Sequence, residues 1–145
     1  MNYDMLKLDN QLCFALYACS REITKHYKPE LDKLGITYTQ YVTLMVLWEK
    51  DNITVKELGS KLHLDSGTLT PLLKKLEAKG IVTRARDSQD ERNVYVSLTE
   101  SGVILKDKAI EIPKKMACIP DHSPEQLIAL RAEINNLLGS FEKLQ

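Results

Sequence analysis

The sequence contains no apolar run that approaches the roughly 18 residues needed for a membrane-spanning helix. Its N-terminal residues 1–10 have no apolar core and include Asp4 and Asp9, which argues against a secretory signal. A chain of 145 residues with mixed apolar and charged side chains is typical of one ordinary globular domain. These features predict a cytoplasmic protein without a membrane partner.

A net charge is also missing, because 20 Lys and Arg residues balance 20 Asp and Glu residues. This balance excludes a protein that coats nucleic acid through bulk charge, but it allows a local basic face. Between Pro71 and Arg86, five basic residues accompany a single acid, Glu77. From Ile119 to the end, four acids outnumber two bases. The middle of the chain is therefore locally positive.

Cysteine and histidine are too few and too scattered to predict a metal site. Cys13, Cys19 and Cys118 form an odd set whose spacing matches no zinc motif, and the three histidines lie far apart. We therefore expect no metal and no cofactor. Cytoplasmic thiols are reduced at rest, so each cysteine is either a packing residue or a redox-active thiol; Cys19 is interpreted as packing.

Turn and capping signals divide the chain into short elements without an internal repeat. Apolar residues recur at helical spacing from about Asp4 to Leu34, with Gly35 as a C-terminal cap and a kink or a last straight turn at Pro29. Further helices are predicted to start after caps at Thr37, Thr54, Asp65 or Ser66, Thr99 and Ser123, with capping boxes at Thr37 and Thr54. The last two of these helices are expected to extend to about Ala117 and Leu144.

Two strands at 81–84 and 93–98 enclose a polar, turn-prone segment and predict a hairpin with a charged tip. Two short helices, a tight turn and a hairpin in this order predict a winged helix-turn-helix. The expected fold is mainly α with a small β part (α+β), in a single domain. Residues 37–99 form the DNA-binding lobe, and the apolar segments 1–36 and 100–145 are dimerisation helices.

The second helix of such a motif lies in the major groove of DNA. Here it begins with small hydroxyl side chains and the positive end of a helix, both of which suit phosphates and base edges. A hairpin-tip arginine suits a narrow minor groove, where adjacent acids hold its guanidinium in a fixed pose. The predicted DNA-binding residues are Ser66, Thr68, Thr70, Lys74, Lys75, Arg84, Arg86 and Arg92.

The stretch from Leu64 to Glu77 (LDSGTLTPLLKKLE), followed by Gly80 and by Asp90-Glu91-Arg92, resembles the MarR family of transcription regulators over essentially the whole chain. Within that family the chain is most similar to the organic-hydroperoxide-resistance (OhrR) and related thiol-based regulators. The resemblance implies a homodimeric repressor on a palindromic double-stranded operator, and it implies no enzymatic activity.

The segment Gln11 to Tyr17 (QLCFALY) carries a second part of this resemblance, because Cys13 takes the place of the family's peroxide-reactive cysteine. The resemblance implies that Tyr27 and Tyr38 of the partner subunit bind the Cys13 thiol, and Tyr17 lies one helical turn after Cys13. It also implies that either Cys118 or an external small thiol captures oxidised Cys13. Oxidation by an organic peroxide is then expected to release the operator.

Two other functions remain open from the residues. A MarR-type regulator that responds to a small phenolic ligand would bind it in the pocket between the dimer helices and the DNA-binding lobe. Insensitivity of DNA binding to Cys13→Ser and peroxide would favour this function. A thiol peroxidase would use Cys13 and Cys118 catalytically, but the sequence has no Cys-x-x-Cys redox motif.

Overall fold

The computed structural model describes residues 1–145 and divides them into two compact units, 1–110 and 111–145. In the first unit, 3-10 turns at Asp4–Leu6 and Leu8–Asn10 precede five α-helices and three strands. These are α1 (Leu12–Leu34), α2 (Tyr38–Glu49), β1 (Ile53–Thr54), α3 (Val55–Leu62), α4 (Ser66–Ala78), β2 (Val82–Arg86), β3 (Val94–Leu98) and α5 (Glu100–Ala109). The second unit contains α6 (Ile112–Met116) and α7 (Pro124–Glu142).

The first helix starts later than the sequence predicts, at Leu12 and not at Asp4. The amide of Gln11 donates to the backbone carbonyls of Met5 and Lys7 at 2.7 and 2.8 Å. These bonds stabilise two tight turns in place of a continuous helical ladder. At the other end, α1 runs through Pro29 and ends where Gly35 adopts the left-handed conformation (φ 69°), as predicted.

The helix expected from Thr99 to about Ala117 is divided in two. Helix α5 ends at Ala109 and α6 begins at Ile112, with Pro113 in its first turn. A proline ring clashes with the carbonyl four residues before it, which here belongs to Ala109. Proline is tolerated in a first helical turn, so the chain starts a new helix at this point.

The sheet is antiparallel and has the strand order β1-β3-β2. Strands β2 and β3 form the predicted hairpin, with Arg84 opposite Val96, and β2 extends two residues beyond the predicted end. The sequence missed β1, in which Ile53 pairs with Val96. Two residues before a helix cap are too few to show alternation. The winged helix-turn-helix fold is thereby confirmed.

The helical caps differ in one detail from the prediction. Thr37 and Gln40 form a complete capping box at α2. At α3, Thr54 accepts from the backbone N–H of Glu57, but the Glu57 carboxylate accepts from Lys50 at 3.0 Å. The predicted box at Thr54 is therefore only a simple N-cap, because the nearby ammonium binds the carboxylate that would close it.

The core of the first unit lies where α2, α3 and α4 meet the sheet. Its fully buried side chains are Leu44, Leu47, Leu58, Leu69, Leu73, Leu76, Val82 and Val96. Gly59 allows the close approach of α3 and the turn before α4, since a Cβ at this position would lie 2.6 Å from the carbonyl oxygen of Leu64. This contact sets the angle between the two helices of the helix-turn-helix.

In the second unit, α7 starts at a complete capping box formed by Ser123 and Gln126 and ends at Glu142, slightly before the predicted end. None of its residues is buried. No helix in the structure combines the length and the apolarity that a membrane crossing requires.

Candidate nucleic-acid interface and thiol site

The start of α4 is shaped by Asp65. Its carboxylate accepts from the backbone N–H of Thr68 at 2.7 Å. Hydrogen bonds from the Thr68 side chain and from this N–H hold the pKa of Asp65 below its ordinary value. Ser66 and Thr68 are exposed, whereas the hydroxyl of Thr70 donates to the carbonyl of Ser66 at 2.7 Å. Ser66 and Thr68 are therefore exposed on the first turns of α4, with Thr68 hydrogen-bonded to Asp65, whereas Thr70 is half-buried.

A groove of about 550 Å³ lies between the helix-turn-helix and the hairpin. One acid, Asp65, and four cationic side chains line this groove. The cations are Lys56, Arg84, Arg86 and Arg92. The hydroxyl residues Ser66 and Thr70 line the same groove. Sequence reasoning missed Lys56, because it lies on α3 outside the basic segment 71–86. Such an excess of cations beside a helix start favours phosphate groups.

The hairpin tip holds its arginines in defined positions. The Arg92 guanidinium donates to both carboxylate oxygens of Asp90 at 2.9 and 3.0 Å, while its side chain remains 89% exposed. This pairing raises the pKa of Arg92 and lowers the pKa of Asp90. Arg86 donates to the backbone carbonyl of Glu91 at 2.9 Å. Asp90 thus holds Arg92 as the sequence predicted.

Arg84 has a structural partner that the sequence analysis did not foresee. Its guanidinium donates to Glu77 at 3.1 Å, and its backbone N–H donates to the other carboxylate oxygen, also at 3.1 Å. The Arg84 side-chain hydrogen bond is the main cause of a lowered pKa at Glu77. The pair joins α4 to β2. Lys74 and Lys75, in contrast, are simply exposed on α4.

Cys13 is exposed at the second position of α1, where no side chain caps the helix. The uncapped N–H groups and the positive end of the helix favour an anion there. Tyr17 lies one turn further along, 6.4 Å from Phe14 between ring centroids, with Arg21 stacked over its ring at 5.6 Å. The Cys13 thiol is therefore accessible at the start of α1.

Tyr27 and Tyr38 are brought together with a third tyrosine, Tyr41. The ring centroids of Tyr27 and Tyr38 are 5.1 Å apart, and Tyr41 lies 5.9 Å from Tyr27. Burial, and then the proximity of Tyr38, raises the pKa of Tyr27, so its hydroxyl keeps its proton at neutral pH. Tyr41 is only 3% exposed and was missed, although its spacing of three residues from Tyr38 places both side chains on one face of α2.

The tyrosine cluster does not contact Cys13 within one chain. Tyr27 follows Cys13 by fourteen positions on the same helix, which corresponds to about 21 Å along the axis. Cys118 is exposed and follows α6 in the second unit. Within the first unit, Cys13 is therefore separated from the two predicted tyrosines.

Comparisons with known proteins fit this arrangement. Residues 25–109 match the family described as transcriptional regulator SarA/Rot. The organic hydroperoxide resistance transcriptional regulator of Bacillus subtilis (strain 168) is 54% identical over 141 residues, which cover 97% of this chain and 96% of that protein.

Two solved structures of AbfR, a protein of Staphylococcus epidermidis, are also similar. Reduced AbfR bound to DNA has a TM-score of 0.84 at 34% identity, and the match covers 99% of both chains. Disulfide-formed AbfR has a TM-score of 0.67 at 36% identity, covering 93% of this chain and 95% of the other.

The fold and these matches define a winged-helix regulator of transcription. The chain belongs to the SarA/Rot family of transcriptional regulators, and the predicted resemblance to MarR-type regulators of the organic-hydroperoxide-resistance group is confirmed. These relatives are regulators and not enzymes, in agreement with the prediction from the sequence.

Proposed function

We propose that this chain is a cytoplasmic repressor that binds palindromic operator DNA as a homodimer and releases it when Cys13 is oxidised by an organic peroxide. The observation that carries the proposal is the cationic groove beside the start of α4, in a chain whose first helix presents an exposed thiol. Its similarity to AbfR, which has been solved in a reduced DNA-bound form and in a disulfide form, supports it.

In this proposal α4 enters the major groove. Ser66, Thr68 and Thr70 approach base edges and phosphates, and Lys74 and Lys75 add positive charge along the helix. The wing places Arg92 in the adjacent minor groove, in the orientation held by Asp90. Arg84 and Arg86 line the groove between α4 and the hairpin and contact the DNA phosphate backbone. Arg84 is held in position by its hydrogen bond to Glu77.

Dimerisation is supported by apolar side chains that the single chain leaves in solvent. Exposed large apolar residues are concentrated in the two terminal segments, and they include Met5, Leu6, Leu8, Leu12, Phe14, Ile128, Leu130, Ile134, Leu138 and Phe141. Exposed apolar side chains in such number support an interaction site in each terminal segment. In the proposal, segments 1–36 and 100–145 bury these residues against a second copy, as dimerisation helices on either side of the lobe 37–99.

A second copy also supplies the tyrosines. Tyr27 lies about 21 Å from Cys13 along α1, and the Tyr38 ring is 5.1 Å from that of Tyr27. In the proposal the tyrosines that reach this thiol therefore come from another subunit. Their hydroxyls donate to the Cys13 thiolate and hold it for reaction, with Tyr17 beside it on the same helical face.

The reaction is a two-step thiol oxidation. The Cys13 thiolate attacks the outer peroxide oxygen, the O–O bond breaks, and the alkoxide leaves as an alcohol after it takes up a proton, so that Cys13 becomes a sulfenic acid. A second thiol then attacks the sulfenic sulfur, a disulfide forms, and water leaves. The second thiol is that of Cys118 in the other copy or that of an external small thiol. The new bond displaces the terminal helices and lowers DNA affinity.

The test is a gel shift with a palindromic duplex selected by the reduced protein, before and after addition of cumene hydroperoxide. Wild type should lose the shift on oxidation, whereas Cys13→Ser should keep it. Cys19, which was predicted to be a packing residue, is instead exposed on the same helix in the single chain. Cys19→Ser is therefore the matched control and should behave as wild type. If Cys13→Ser is released as readily as wild type, the redox proposal is wrong.

The same assay identifies the second thiol. If Cys118→Ser stays bound after peroxide treatment, Cys118 is the resolving residue. If it is released once a small thiol such as cysteine is added with the peroxide, the external thiol serves instead.

A further inference from the structure

Lys79 joins the end of α4 to the turn between α1 and α2. Its Nζ donates to the backbone carbonyl of Gly35 at 2.7 Å and to Oε1 of Gln40 at 3.0 Å. Lys79 is also the C-cap residue of α4, and Gly35 is the C-cap residue of α1. Carbonyls at the end of a helix attract a cation, so these are favourable contacts. One ammonium group therefore connects three helices.

The acceptor on Gln40 is held firmly in place. Gln40 is 3% exposed, and its Oε1 also accepts from the backbone N–H of Thr37 at 3.0 Å. The backbone N–H of Gln40 donates in return to the Thr37 hydroxyl. These bonds define the start of α2, where Tyr38 lies. A buried group with satisfied bonds is rigid, so a displacement of this turn is passed on to Lys79.

The two bonds differ in kind from the packing around them. Apolar contacts between α2 and α4 are non-directional and allow small sliding movements. Two short, charge-assisted hydrogen bonds fix position as well as distance. The Lys79 contacts therefore fix the position of the end of α4 relative to the end of α1.

We propose that Lys79 is a positioning residue that couples the state of Cys13 to the orientation of α4. The inference rests on the proposed function, because it requires redox-dependent release of DNA. Helix α1 has 23 residues and runs from the Cys13 turn to Gly35, so a displacement at one end reaches the other. Lys79 passes it to α4, whose opposite end presents Ser66 and Thr68.

The variant Lys79→Met keeps the aliphatic stem and removes the ammonium. We expect the reduced variant to bind operator within about threefold of wild type, since the Lys79 ammonium binds Gly35 and Gln40 and lies at the opposite end of α4 from Ser66 and Thr68. The factor by which oxidation raises the Kd should fall at least about threefold, the size of change expected for a residue on a coupling route. Lys79→Arg retains a cation with several donors and should restore part of that factor.

The matched control is Lys33→Met. Lys33 lies in the last turn of α1 and pairs with Glu30 at 3.1 Å, on an exposed surface. The variant removes the same charge close to Gly35 without touching the contacts of Lys79. We expect it to leave the oxidation factor unchanged.

The measurement is the Kd of a fluorescent operator duplex, selected by the reduced protein, by anisotropy with reduced and peroxide-treated protein at one salt concentration. A wild type that shows no redox dependence overturns the proposed function. If wild type responds and Lys79→Met keeps the full oxidation factor, only the coupling proposal is wrong. Equal weakening of both redox states by Lys79→Met would indicate a purely structural role, and would overturn the coupling proposal as well.

Discussion

Helices α4 and α7 contain comparable numbers of leucines but differ in how far these side chains are buried. In α4, Leu69, Leu73 and Leu76 are fully buried against the rest of the lobe. In α7, which has 19 residues, none is buried, and Leu130 is 47% exposed. The DNA-binding lobe is therefore complete within one chain, whereas α7 retains an apolar face that one chain does not cover. In the proposed function, DNA binding and dimerisation therefore depend on separate parts of the sequence.

Truncation of a leucine should give the largest contrast between these regions. Leu73→Ala leaves a cavity in the core and should lower the free energy of unfolding by about 2–5 kcal/mol. Leu130→Ala should instead weaken dimerisation. Urea denaturation measures the first effect, and sedimentation at several protein concentrations measures the second. If Leu130→Ala leaves the association constant unchanged, this face of α7 does not take part in the dimer.

Glycine substitutions in the lobe and in α7 should have smaller, opposite effects on stability. Gly59→Ala places a Cβ 2.6 Å from a backbone oxygen, and should cost about 1–3 kcal/mol of stability by overpacking. Gly139→Ala lies in α7 with nothing within 4 Å, and should stabilise the helix by roughly 0.5–1 kcal/mol. Thermal unfolding of both variants provides the measurement. A destabilised Gly139→Ala protein would mean that a second copy packs closely at this position.

Arg92→Ala tests the lobe at its exposed tip. Loss of a minor-groove arginine should weaken operator binding about tenfold, a typical cost of about 1–3 kcal/mol for a specific contact. Folding should be unaffected, because the side chain is almost entirely in solvent. Anisotropy titration at fixed salt measures the affinity, and Arg21→Ala in α1 is a control arginine outside the lobe. Equal affinity of Arg92→Ala and wild type would place the wing away from the DNA.

The smallest expected effect is on the stability of the protein at low pH, through the pair of Glu77 and Arg84. The pKa of Glu77 is lowered from 4.5, chiefly by its hydrogen bond from Arg84. A lowered pKa in the folded state contributes stability above pH 4.5 that is lost as the pH falls through the folded value. Wild type should therefore lose slightly more stability than Glu77→Gln below pH 4.5, measured by urea denaturation. Identical pH profiles would show that the exposed pair adds nothing.

Local patterns predicted the elements of the lobe because each has a short-range signal. The Thr37 capping box, the left-handed Gly35 and the alternation of β3 all depend on neighbours in the chain. Strand β1 had no such signal, since its two residues are defined only by pairing with β3. The division between α5 and α6 was available in principle at Pro113, whose effect on the carbonyl of Ala109 is local.

The candidate site was likewise predictable where its residues lie close together in the sequence. The basic segment and the Asp90–Arg92 pair lie close in sequence, and their geometry follows from it. Lys56 was missed because it reaches the groove from α3, outside the basic segment. Tyr41 was missed although it follows Tyr38 by one turn of α2, because only tertiary packing brings it against Tyr27 of α1. Arg84 was foreseen as a DNA contact, but its bond to Glu77 spans two elements and depends on how α4 meets β2.

The sequence alone predicts most of the helices and strands, the winged helix-turn-helix and the family resemblance, because these follow from periodicity, caps and contiguous motifs. It does not show which side chains share a surface; that depends on the tertiary structure. It placed Lys56 with Arg92, Tyr41 with Tyr27, and Lys79 with Gly35. The physical reason is that hydrogen bonds and ring contacts act over a few ångströms in space, whatever the separation of the residues along the chain.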